Sequence, residues 1–145
     1  MDVASITRTA CLLPICAALA TGALADGTLY RVNSKDVGWS TIDITIDEIR
    51  RDERVSSLRI PHYEKRSAVE SRFAMCVFTG FATRRGFETW LVSGDVITDD
   101  VVRVGFLKSS SEDAAKLLGK EFLGKDALRA DVAVMNRMCG IHRAK

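Results

Sequence analysis

The sequence predicts an α+β fold: a small, mainly antiparallel sheet of about four to five strands with about three helices, in a single domain. Three observations carry that prediction. Ile42, Ile44 and Ile46 alternate with Asp43, Thr45 and Asp47, the period of a strand with one buried and one wet face. Residues 67–93 have the spacing and end signals of one long helix followed by a buried strand. The elements come in the order strands, helix, strand, strand, helix, helix. That order groups rather than alternates, which places the helices on one face of an antiparallel sheet.

Residues 1–25 read as a cleaved export signal rather than as part of the domain. Arg8 closes a short leader, residues 10–24 are apolar and small, and Ala23-Leu24-Ala25 fits the small-x-small rule, so cleavage is expected between Ala25 and Asp26. Pro14 and Thr21-Gly22 interrupt the apolar stretch, which is shorter than the about 20 residues of a spanning helix. Neither leader cysteine suits lipid attachment: Cys16 follows Pro14-Ile15, and Cys11 has Arg8 three residues before it. The expected product is one domain, residues 26–145, periplasmic or secreted and not membrane-spanning. Asp2 and Arg8 leave together, so the net charge of +2 is unchanged. A balance that close to neutral predicts no general affinity for nucleic acid or anionic lipid.

A first strand is expected within residues 26–33, then a turn at 34–38. Residues 39–47 form the cleanest strand, with Asp43 and Asp47 on its wet face. The run DEIRRDER, residues 47–54, reads as a solvated connection with partner binding as its sharper alternative. Residues 55–60 form the next strand, Leu58 and Ile60 inward, and Pro61 stops it.

Ser67 then suits a helix N-cap, with Glu70 three residues on completing a capping box. Val69, Cys76, Val77 and Gly80 share a side with Phe73, while Met75, Phe78 and Ala82 fall roughly opposite. A helix apolar on two sides belongs between a sheet and a second helix. Arg84 and Arg85 suit the C-terminal dipole, and Gly86 ends the helix. Residues 87–92 are strand formers. The rival is a hairpin: Phe73, Met75, Val77 and Phe81 also fit a two-residue period, with 83–86 as the turn.

Past a turn at Ser93-Gly94-Asp95, residues 101–108 alternate as a strand through Val102, Val104 and Phe106. Acids at Glu112 and Asp113 open a helix over 114–122, which Gly124 breaks. Residues 126–138 form the last helix, with Leu128, Val132, Met135 and Met138 as its apolar stripe.

Four cysteines occur, and the export signal removes Cys11 and Cys16. Cys76 and Cys139 remain, and two cysteines in an exported chain suggest one disulfide, worth about 4 kcal/mol across so long a loop. The alternative is two separate buried thiols.

Catalytic patterns are sparse. His62 and His142 are the two histidines, with no HxH, HExxH or Cys/His cluster, so no metal is expected. No Gly-x-Ser-x-Gly or phosphate loop occurs, and no cofactor is implied. The carboxylate pairs Asp43/Asp47 and Asp99/Asp100 read as solvated. Basic and aromatic residues interleave at Arg59, His62, Tyr63, Lys65 and Arg66. Nearby acids argue against nucleic acid there, and Tyr with Arg favours the rim of a protein-binding surface.

The run Phe73-Ala-Met-Cys, Phe81-Ala-Thr-Arg-Arg-Gly86-Phe87 and Trp90-Leu-Val resembles a segment of small exported bacterial envelope proteins and lipoproteins of uncharacterised function. In those, a helix ends in a basic residue, Gly and an aromatic, and a central strand follows. The resemblance implies an α+β envelope protein and brings no catalytic residue with it. This chain departs from the lipoproteins in having no suitable lipidation cysteine. The expectation is a binding module whose partner is another envelope protein. Two alternatives remain: an inhibitor or immunity protein against an envelope enzyme, and a small hydrolase using His62 with an acid such as Asp95.

Overall fold

A computed structural model describes residues 28–93 and 100–140. The export signal and its cleavage point, Asp95, Asp99 and His142 lie outside the described residues.

The strands are β1 (Tyr30–Asn33), β2 (Thr45–Arg51), β3 (Val55–Arg59), β4 (Thr89–Val92), β5 (Val101–Leu107) and β6 (Leu128–Asp131). The helices are α1 (Ala68–Arg85), α2 (Ala114–Leu118) and α3 (Val132–Met138). All six strands form one antiparallel sheet in the order β1-β2-β3-β5-β4-β6. The class is α+β as expected, with a sixth strand beyond the four to five anticipated.

Helix α1 forms where its local signals place it. The Ser67 hydroxyl accepts from the Glu70 amide at 3.2 Å, and the Glu70 carboxylate accepts from the Ser67 amide at 2.7 Å. Gly86 takes φ 75° and caps the end by donating to the Ala82 and Thr83 carbonyls, which rules out the hairpin. Phe73, Val77, Phe78 and Phe81 pack on Leu58, Trp90, Val102, Val104 and Phe106 of the sheet. Val132 and Met135 of α3 join the same core, so α1 lies between sheet and helix. A disulfide joins Cys76 to Cys139, 63 residues apart, and ties α1 to the end of α3. Val69 is a correction: it is 42% exposed rather than on the core side, because the core begins one turn later at Phe73.

Helices cover both faces of the sheet, not one. Leu91 and Leu107 point away from α1 and meet Ala114, Leu118 and Phe122 on the far side, with Val55. Gly105 makes this approach close, since a Cβ there would lie 2.6 Å from Leu118 Cδ1. The expected helix over 114–122 stops at Leu118. Gly119 at φ 113°, ψ 163° breaks it, and a 3-10 turn follows at Lys120–Leu123.

Two further elements move. The strand expected at 39–47 is β2, and its first half is instead a loop latched to buried Ser34. The Ser34 hydroxyl donates to the Ile42 carbonyl at 2.9 Å and accepts from the Ile44 amide at 3.0 Å. The strand then continues into the charge run, so that run is not a solvated connection. Asp47 is buried rather than wet, held by the Arg31 Nε at 2.7 Å. Glu48 is wholly enclosed. The pairing shifts register between Glu48 and Arg50, leaving Ile49 as a bulge. Residues three apart in a regular strand face opposite ways, and one extra residue restores parity. Arg51 can therefore reach the Glu48 carboxylate, with Nε at 2.9 Å.

The last helix does not start at 126. Residues 128–131 pair with β4 (Trp90 opposite Ala130, Leu91 opposite Arg129), and Asp131 caps the short α3 by accepting from the Val134 amide at 2.9 Å. Strand pairing wins here because β4, buried along its whole length, would otherwise leave an edge unbonded. Leu128 and Met138 accordingly lie outside the core, 45% and 52% exposed.

Candidate functional site

The surface predicted from Arg59, His62, Tyr63, Lys65 and Arg66 is the connection between β3 and α1. Asp100 organises it. Its carboxylate accepts from the His62 amide at 2.9 Å and the Tyr63 amide at 3.2 Å, while its carbonyl accepts from the Ile60 amide at 2.8 Å. His62 and Asp100 both take left-handed backbone, at φ 56° and 61°. The fold thus uses the main chain of His62, and its side chain is exposed. Arg66 lies over the Tyr63 ring at 3.8 Å and donates to the Tyr63 carbonyl. Arg66 Nε is nonetheless buried without a hydrogen-bond partner, and Arg59, His62, Glu64 and Lys65 are exposed.

A buried polar cluster sits where α1 ends. The Glu48 carboxylate accepts from Arg51 and from the Ser56 hydroxyl at 2.7 Å. Ser56 accepts in turn from Arg85 Nη1 at 3.0 Å. Arg85 Nη2 donates to the Asp52 and Glu53 carbonyls, both at 2.8 Å, and its guanidinium lies 4.7 Å over the Phe106 ring. Burial pushes the Glu48 carboxyl up, but the hydrogen bonds from Arg51 and Ser56 and the charges of Arg51 and Arg85 outweigh it, so its pKa falls below the usual range. With Ser56 and Glu48 both sealed from solvent, this is a clamp holding the helix end to the β2–β3 hairpin.

A hollow of about 320 Å³ lies against the predicted segment, with Tyr63, Arg66, Ser93 and Asp126 in its lining, and a second, more apolar site lies over the exposed side of α1. A groove of about 220 Å³ runs between α1, β1, the 34–44 loop and the disulfide. Tyr30, Val32, Val37, Trp39, Phe73 and Val77 form its apolar lining, and Gly80, Cys76 and Cys139 complete it. Trp39 meets Phe73 edge-on at 5.6 Å, and Tyr30 meets Phe81 at 5.2 Å. An added Cβ at Gly80 would touch nothing within 4 Å. The glycine therefore keeps the groove deep without being required by packing.

Two arginines flank the groove. Arg84 lies 4.6 Å over the Tyr30 ring and donates to its hydroxyl at 3.1 Å. Arg72 lies 5.9 Å over Trp39 and donates to the Met138 carbonyl at 3.0 Å. The sequence reading missed this site. Its signal is the spacing Arg72, Cys76, Gly80, Arg84, four apart on one helical row, with small residues between two cations.

Among the described residues no cluster of His, Cys, Asp and Glu is placed to hold a metal ion, and no helix is long and apolar enough to cross a membrane. No protein-family model, curated protein or solved structure matches the chain.

Proposed function

We propose that this protein is an exported binding module of the bacterial cell envelope, that it works by holding a protein partner rather than by catalysis, and that the groove over α1 is its contact surface. The observation that carries the reading is the groove's floor. Glycine in a helix interior costs about 1 kcal/mol relative to alanine, and Gly80 has no neighbour that demands it. Exposed apolar side chains add to the surface: Val37 in the groove wall is 54% exposed, and Met138, beside Cys139, extends it at 52% exposed. Export is supported by the leader with its Ala23-Leu24-Ala25 site and agrees with a disulfide between Cys76 and Cys139. The groove is preferred to the Arg59–Arg66 segment because its walls are mainly apolar and aromatic, whereas the hollow beside Tyr63 and Arg66 is more polar and the two side chains stack on each other.

The test expresses the full chain with its leader in its own host, with a photo-crosslinking residue in place of Val37. The expected result is a processed protein beginning at Asp26 outside the cytoplasm, crosslinked to one envelope protein that a Gly80→Leu variant does not capture. An unprocessed cytoplasmic protein, or equal capture by the Gly80→Leu variant, refutes the reading.

A further inference from the structure

We propose that the groove takes a bulky apolar side chain of a partner polypeptide whose neighbouring residues include a carboxylate. The inference rests on the groove being the contact surface and adds the chemistry of what enters it.

Size argues for a side chain. The groove's 220 Å³ falls below the about 300–1,000 Å³ of small-molecule pockets. A cavity of that size suits one anchoring residue, the arrangement found at the centre of protein interfaces. Aromatic walls from Trp39, Phe73 and Tyr30 favour an apolar or aromatic anchor.

Charge argues for the acid. Arg31, Arg51, Arg54 and Arg103 each have a carboxylate within 4.0 Å. Arg72 and Arg84, like Arg59, Arg66, Arg85, Arg129 and Arg137, have none among the described residues; what distinguishes the pair is position, since each lies over an aromatic ring of the groove wall and otherwise hydrogen-bonds only to one hydroxyl or one carbonyl. Arg84 thus lines the groove and Arg72 flanks it beyond Trp39, neither with a carboxylate partner among the described residues. Each guanidinium spends one N–H on its hydroxyl or carbonyl partner and has further N–H donors to offer a carboxylate. The two Cα atoms are twelve residues apart on α1, so about 18 Å along the helix. An extended segment covers that span in roughly five to six residues. The fitting ligand is therefore an extended stretch with an apolar anchor near its middle and an acid within about three residues on one or both sides.

The test is a selection of random 16-residue peptides displayed on phage against the full, disulfide-bonded chain, followed by fluorescence anisotropy with a synthetic representative. Enriched sequences are expected to share a Phe, Trp or Leu with Asp or Glu within three positions. Binding should weaken at least tenfold in both Arg72→Gln/Arg84→Gln and Arg72→Glu/Arg84→Glu. Replacing the peptide's acids by Lys should restore binding to the Glu variant, a rescue that a misfolded protein would not give. Gly80→Leu should abolish binding.

Peptides that lack acids, or that bind the arginine variants unchanged, yet fail on Gly80→Leu, overturn the acidic requirement and leave the groove as the contact surface. Peptides insensitive to Gly80→Leu, or no enrichment, overturn both. Tight binding of laurate with no peptide enriched assigns the groove to a lipid and refutes the proposal. Dimerisation lost in Gly80→Leu assigns it to a second copy and does the same.

Discussion

Replacing Gly80 by alanine should make the protein more stable and its groove shallower. Gly80 lies inside the 18-residue α1, with helical turns on both sides. Glycine there loses more backbone freedom on folding than alanine does, a difference of about 0.8–1.0 kcal/mol. The new Cβ meets nothing within 4 Å, so no clash offsets the gain, and no packing adds to it. The net expectation is about 0.8 kcal/mol of added stability, or roughly 4 °C in Tm for a domain of this size. Thermal unfolding by circular dichroism measures the shift, and a urea titration should show a higher midpoint with an unchanged slope. A Tm equal to or below that of the wild type would refute the argument, because it would mean that the space above Gly80 is filled in solution.

Gly105→Ala should do the opposite: its Cβ would meet Leu118 and Phe122 at 2.6 and 3.1 Å, costing about 1–3 kcal/mol by chemical denaturation. Thr79→Val should cost about 1–3 kcal/mol, since the Thr79 hydroxyl accepts the buried Trp90 indole N–H at 2.9 Å, and Thr79→Ser should recover most of it. Glu48→Gln should cost about 2–3 kcal/mol at neutral pH. The Glu48 pKa is lowered on folding, so its stabilisation is full above the ordinary carboxylate range and is lost as pH falls through the folded value. The gap between wild type and Glu48→Gln should therefore narrow as pH falls below the ordinary carboxylate range and through the lowered folded value, and a gap that widens on acidification would be inconsistent with the clamp. The double variant Cys76→Ser/Cys139→Ser should lose about 4 kcal/mol in urea, with both the α1–α3 tie and one side of the groove gone.

Features set by neighbours in the chain were legible in the sequence. Ser67, Glu70 and Gly86 delimit α1 because capping is decided within one turn. Cys76 and Cys139 followed from counting the cysteines that export would leave. What was misread depends on distant partners. Residues 126–138 have a helical apolar period, yet 128–131 became a strand because β4, nearly forty residues earlier, offered an unfilled edge. Asp47 and Glu48 looked solvated because their cations, Arg31, Arg51 and Arg85, meet them only through pairing, a bulge and the docked end of α1. The groove is of the same kind. The row Arg72, Cys76, Gly80, Arg84 is plain in the sequence, but its being uncovered depends on where α3 and the 34–44 loop stop.

The strand order has a consequence for how the chain is made. Strand β4 is next to last in the sheet and hydrogen-bonds on its outer side to β6, which is synthesised almost forty residues later. Until Leu128–Asp131 emerge, nascent chain exposes a bare edge beside Trp90, and Cys76 has yet to meet Cys139. Such a polypeptide closes its sheet and its disulfide only when its last strand and Cys139 arrive.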